Sequence, residues 1–206
     1  MEIVAMMEAV TLRNSLALGI LTLLLALLQG TGSAADLTGT VTNTRGAVTR
    51  DAVVSLEGGT AAAKPIEGSV INQRKKMFVP HVIAVTTGTT VSFPNDDSVL
   101  HNVFAYYDAK KFDLGMYPRG TTKRETFGKA GVVALLCNIH SEMSAYIVVV
   151  DTPYYAVSDK DGKFVVHDVP PGKYTLKAWH ETGASASQAI TVGSGGTDIS
   201  VALVRK

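Results

Sequence analysis

The stretch "LLCNIHSEM", residues 135–143, places three metal-binding side chains on one short loop: Cys137, the only cysteine of the chain, then His140, then Met143. A thiolate, an imidazole and a thioether at C-x-x-H-x-x-M spacing offer soft and borderline donors together. A second imidazole, His101, stands 36 residues upstream of the cysteine in "FPNDDSVLHNVF". Zinc fits this set poorly, because a thioether is a weak zinc ligand and structural zinc sites more often use two or more cysteines. Copper cycling between Cu(I) and Cu(II) fits best, with His101, Cys137 and His140 in the trigonal plane and Met143 as the weak axial ligand. Two plainer chemistries compete for the same residues. Cys137 is an inert core thiol in one, and in the other a nucleophile paired with His140, although no orienting residue or oxyanion site is recognisable. Met116, in "DLGMYP", has the chemistry for the axial place without the spacing.

Such a site needs rigid elements to position it, and from residue 37 onward these read as strands. Short alternating or fully apolar runs are cut by turn residues, and no 3.6-residue periodicity is sustained. The runs are "LTGTVTN", "AVVSLEG", "HVIAVTTG", "TTVSFPN", "HNVFAYY", "GVVALLC", "AYIVVVD", "KFVVHDV", "KYTLKAW" and "TDISVALV". In "KYTLKAW", Tyr174, Leu176 and Ala178 share one face while Lys173, Thr175 and Lys177 share the other, as a half-buried strand requires. "DKDG", "PPG" and "GSGG" supply turns. The expected fold class is therefore all-β, built of sandwiches. Cys137 closes the apolar run "GVVALL", so the thiol sits at the end of a buried strand, with His140 and Met143 on the loop beyond it.

The first 35 residues read as an export signal. Arg13 precedes the apolar run "LALGILTLLLALL", and "QGTGSAAD" supplies small residues for cleavage after Ala34 or Ala35. Glu2 and Glu8 depart from a basic leader, which points to a start at Met6 or Met7. The run is short for a spanning helix, and no later stretch is apolar enough to span a membrane, so the mature chain is expected in the periplasm or secreted. Loss of Arg13, Glu2 and Glu8 leaves 18 basic against 16 acidic side chains of the original 19 and 18. That near balance argues against a nucleic-acid partner. Export also sharpens the case of Cys137, since oxidising compartments use cysteines in pairs and this chain has no second one.

The two ends of the mature chain belong to one kind of module. "GTVTNTRGAVTRDAVVSLEG" (39–58), "YYAVSDKDGKFVVHDVPPGKYTLKAWHE" (154–181) and a final strand to Val204 resemble a carboxypeptidase regulatory-like domain, the small transthyretin-type sandwich. The resemblance implies a discontinuous domain of residues 37–60 and 153–206, with a second domain of residues 64–151 inserted between its strands. Loop tips tolerate such insertions.

The insert resembles the cupredoxins. "VTTGTTVSFPNDDSVLHNVF" and "GVVALLCNIHSEMSAYIVVV" are similar to that family's two ligand-bearing segments, and the C-x-x-H-x-x-M loop has amicyanin-type spacing. The resemblance implies a Greek-key sandwich with one type 1 copper ion on His101, Cys137, His140 and Met143. It also implies that Asn102 ties the histidine loop to the segment after the cysteine. The expected activity is one-electron carriage and not enzymatic turnover, because saturated ligation leaves no open position for substrate. A redox protein, a dehydrogenase or a cytochrome, is the implied partner, with His140 as the port. Ile139 and Ser141 replace the prolines often found beside that histidine, and Glu142 adds a charge where an apolar docking ring is expected.

His81, His167 and His180 have no second metal-binding residue at close spacing and are expected to be packed or surface residues. Trp179 and His180, with Tyr154 and Tyr155, form either an aromatic platform for carbohydrate or the rings that pack one sandwich on the other. The alternatives to an electron carrier are a copper-binding or carbohydrate- or envelope-binding module without a redox role, and a copper enzyme.

Overall fold

Runs in which every second residue is apolar can bury one face only by pairing edge to edge, and the chain does so repeatedly. A computed structural model describes residues 33–106 and 109–205. The expected leader lies outside these apart from its last three residues. The remainder, from Ala34 onward, is one compact unit. Its strands are β1 (Ala35–Asn43), β2 (Val53–Glu57), β3 (Asn72–Arg74), β4 (Met77–Val79), β5 (Val82–Thr86), β6 (Thr89–Pro94), β7 (His101–Ala105), β8 (Phe112–Tyr117), β9 (Thr122–Phe127), β10 (Gly131–Leu136), β11 (Ser144–Val150), β12 (Tyr155–Val157), β13 (Lys163–Val169), β14 (Gly172–Trp179), β15 (Ala184–Val192) and β16 (Thr197–Arg205). No helix among the described residues is long and apolar enough to cross a membrane.

The all-β class holds, and strands from the two ends of the sequence pair with one another while those between them pair in separate sheets. A seven-stranded sheet in the order β12-β2-β14-β15-β16-β1-β13 draws its strands from both ends of the sequence. Its end strands β12 and β13 come into contact, so the sheet curls around a core that includes Leu37, Leu56, Phe164, Leu176 and Leu203. Gly39 in β1 lies where this core is tightest: a Cβ there would fall 2.6 Å from the Phe164 ring, so only glycine lets the ring lie against the strand.

The strands between β2 and β12 form the second body. A five-stranded sheet, β5-β11-β10-β7-β8, packs with the pairs β6-β9 and β3-β4 around Phe93, Phe127, Val133, Leu135 and Ile147. Cys137 and Met143 belong to this core. A third cluster joins the bodies: Val53 of the outer sheet meets Val82, Ala84, Val148 and Val150 of the inner one. Trp179 packs at a tilt against Tyr146 there, with ring centroids 5.3 Å apart and planes inclined at 58°, and His81 Nε2 lies 2.8 Å from Glu181 Oε2. Removing these aliphatic side chains from water is the main attraction between the bodies, each valine contributing about 1.5–3 kcal/mol when fully buried.

Candidate metal centre

Strand parity brings the cysteine inward. Val133, Leu135 and Cys137 occupy alternate positions on and just past β10, and all three are buried, so the thiol is the last member of the core-facing row. The chain then leaves the sheet, and Met143 N–H donates to His140 O at 3.0 Å to close the loop before β11 begins. Met143 returns to the core with 1% of its surface exposed, and His140 is half-buried.

His101 begins β7, in the same row as the core residues Val103 and Ala105, and has no exposed surface. The loop before it is built by Asn95, itself fully buried. Asn95 Nδ2 donates to Val99 O and to Tyr117 O, each at 3.0 Å, and its Oδ1 accepts from Asp97 N–H at 2.9 Å. This clamp sets the Asp97 carboxylate beneath the histidine. His101 Nε2–H donates to Asp97 Oδ2 at 3.0 Å, and the same oxygen accepts the backbone N–H of Lys76 at 2.6 Å. The Lys76 amide first, and His101 second, hold the Asp97 carboxyl down to about 2, so it is ionised at neutral pH.

With Nε2 committed to Asp97, His101 turns Nδ1 towards the thiol, 3.9 Å from Cys137 Sγ. The rings of His101 and His140 lie 4.8 Å apart between centroids, inclined at 59°. One donor atom each from His101, Cys137 and His140 lie within 4.8 Å of one another. His140 Nδ1 is buried and has no hydrogen-bond partner. A buried ring nitrogen left unpaired beside a thiol and a second imidazole is costly unless something accepts its lone pair, and a metal ion does so. The donors fit a soft or borderline ion, and the carboxylate behind His101 is the support that a metal-bound histidine ordinarily has.

Asn102, next to the first histidine, accepts Asn138 N–H on its Oδ1 at 2.7 Å, joining β7 to the residue after Cys137. The alternative thioether, Met116, is 63% exposed on β8, directly across from Asn102. Glu142 is exposed, and its own backbone N–H and then the Ser141 hydroxyl hold its carboxyl below the ordinary carboxylate range. Ile139, Val99 and Leu100 are also exposed, on the loops that lead to His140 and His101.

The remaining histidines are engaged elsewhere. His81 Nδ1–H donates to Ser144 O at 3.0 Å, His167 pairs with Asp36 at 3.1 Å, and His180 contacts Thr182 at 2.9 Å. Tyr154 is buried against Tyr174 in the outer core, and Trp179 packs on Tyr146. Asp97 and Asn95 were not singled out by sequence reasoning, although both lie in "FPNDDSVLHNVF". Their one sequence signal is an acid four residues before a candidate ligand.

Comparison with known proteins gives partial likenesses. The family model described as polysaccharide lyase family 4, domain II, matches residues 130–199, which run from β10 of the inner body to β16 of the outer one. It is not the carboxypeptidase regulatory-like family that the sequence resembles. No curated protein sequence matches the chain. Among solved structures, a purple cupredoxin from Nitrosopumilus maritimus is 23% identical over 40% of this chain and 100% of its own, with a TM-score of 0.37. A copper-containing nitrite reductase from Thermus scotoductus SA-01 is 25% identical over 48% of this chain and 25% of its own, with a TM-score of 0.40. The reduced Cu(I) form of an amicyanin variant is 19% identical over 47% of this chain and 98% of its own, with a TM-score of 0.39.

Proposed function

We propose that the protein is an exported one-electron carrier that holds a single copper ion on His101, Cys137, His140 and Met143. In this reading the inner body, about residues 64–151, is a cupredoxin carried within a carboxypeptidase regulatory-like sandwich of residues 37–60 and 153–206. The observation that carries the reading is the unpartnered, buried Nδ1 of His140, within 4.8 Å of a buried thiol and a second imidazole nitrogen. Among the described residues no carboxylate joins that group, so a hard cation such as magnesium or calcium has too few oxygens here.

Bound copper supplies a one-electron couple. The chain's contribution is to keep the donors still while that charge changes. Asp97 fixes the His101 ring, Asn102 ties β7 to the cysteine segment, and the core around Met143 leaves its thioether little freedom. A site that does not rearrange exchanges electrons quickly, because little reorganisation accompanies the transfer. His140, half-buried at the rim, is the natural exit, with a dehydrogenase or a cytochrome as partner. Filling the fourth place with a thioether leaves no position for substrate, which supports a carrier over an oxidase.

Metal titration followed by potentiometry tests this reading. One equivalent of Cu(II) per chain is expected to saturate the protein, and the loaded form to follow a reversible one-electron Nernst curve. Stoichiometric binding without a reversible couple would favour a copper-binding module without a redox role.

A further inference from the structure

On the outer sandwich, away from the residues of the metal centre, a cavity of about 540 Å³ opens between the turn after β1, the turn after β14 and the end of β16. Arg45, Arg50 and Arg205 line it, three of the chain's seven arginines, together with His180, Thr44 and Thr182. Among the described residues no carboxylate lines it. From this lining we infer that the cavity is a binding site for a small soluble molecule bearing an oxyanion, a phosphate or a carboxylate, on a polyhydroxylated body.

The cations are held ready and largely unneutralised. Among the described residues the Arg45 guanidinium has no ion-pair partner. Arg205 donates through Nε to Thr182 O at 3.1 Å, which leaves both of its Nη groups for a ligand. Arg50 gives its Nε to Asp51 at 2.7 Å and likewise keeps its Nη groups. His180 Nδ1 accepts the backbone N–H of Thr182 at 3.4 Å, so in the neutral ring the proton sits on Nε2, a further donor. Guanidinium forks bind oxyanions through paired N–H groups, and hydroxyls such as those of Thr44 and Thr182 suit a polyhydroxylated body.

The backbone beneath is fixed before any ligand arrives. Asn43 Oδ1 accepts the N–H groups of Arg45 and Ala47 at 2.9 and 3.1 Å, closing the first turn. Ser158, buried, straps the segment that carries Arg50: its hydroxyl donates to Thr49 O at 2.8 Å and accepts Ala52 N–H at 2.9 Å. His180 N–H and Gly183 N–H each close the second turn with a 3.0 Å bond. Binding here orders side chains and not loops, which keeps its entropic cost low. The volume suits a mono- or disaccharide-sized ligand.

Titration of the metal-free, ¹⁵N-labelled protein with inorganic phosphate, with glucuronate, and with glucose as the uncharged control, at constant ionic strength, tests the site. Saturable shifts at residues 43–50, 180–184 and 203–205 are expected with phosphate, glucuronate or both, and none with glucose. The identity of the saturating arm assigns the oxyanion. Arg45→Gln and Arg205→Gln are each expected to weaken binding about tenfold, the loss of one charge-assisted contact, with unchanged Tm. Absence of saturable shifts with both anions, equal shifts with glucose, or undiminished affinity in folded Gln variants would overturn the site. If a Gln variant loses its fold, the titrations of the unaltered protein alone decide. The outcome is independent of copper binding, so neither reading stands or falls with the other.

Discussion

Asp97 Oδ2 lies 3.0 Å from Nε2 of His101, a histidine with no surface exposed to solvent. That contact decides which ring nitrogen faces Cys137, because the nitrogen that donates to the carboxylate is not free to ligate. Asp97→Ala is therefore expected to lower copper affinity by about 10- to 100-fold while the fold persists. Asp97→Asn, which keeps an acceptor oxygen, is expected to lose less. Competition against a Cu(I) chelator, with Tm as the control for folding, measures both. Equal affinity in Asp97→Ala would show that the ring is held by packing alone.

Asn102 supplies the second tie, from β7 to the amide of Asn138. Asn102→Ala is expected to lower stability by about 1 kcal/mol. It is also expected to slow electron self-exchange of the copper form, because the loop after Cys137 gains freedom. Line broadening in mixtures of reduced and oxidised protein reads the exchange rate, which a purely structural role for Asn102 would leave unchanged.

Much of this centre was legible in the sequence because donor identity and loop spacing are local properties. The three donors on one loop were visible, and the upstream histidine was marked by its place just after the strand "TTVSFPN". Asp97 was not legible, since its role depends on Asn95 folding the loop back and on Lys76 arriving from the distant turn between β3 and β4. The same contrast holds for the strands. "GVVALL" and "AYIVVVD" announced β10 and β11 by their apolar content. β8, β9 and β15 alternate exposed and partly buried residues, and β3 and β4 are three residues each, too short for a pattern. What links Val53 to Val82 across the two bodies is tertiary packing, which no periodicity encodes.

Ser158 separates the stability of the outer sheet from the metal centre. Its hydroxyl makes two bonds to buried or half-buried backbone groups, at 2.8 and 2.9 Å. Ser158→Ala leaves both partners unsatisfied, at a cost of about 1–3 kcal/mol. Denaturant unfolding should show that loss, and the visible spectrum of the copper form should not change.

Alkaline pH probes the outer core. Tyr174 donates to Pro170 O at 2.8 Å, and burial first, then Tyr154, raises its phenol above the ordinary 10.0. A raised folded value means that the neutral phenol is favoured in the fold. The associated stability is complete below pH 10 and is lost as pH rises through the folded value. Tyr174→Phe should be less stable near neutrality, by about 1 kcal/mol for the lost hydrogen bond, and should fall less steeply above pH 10. Thermal unfolding at a series of pH values measures both slopes.

The central claim is that Cys137, as a thiolate, is a copper ligand in an electron-carrying site. The visible absorption of the copper-loaded protein tests it most directly. The account predicts an intense thiolate-to-copper charge-transfer band that bleaches on reduction, returns on reoxidation, and is absent from Cys137→Ser. A colourless copper-loaded protein, or a colour that survives in Cys137→Ser, would contradict it.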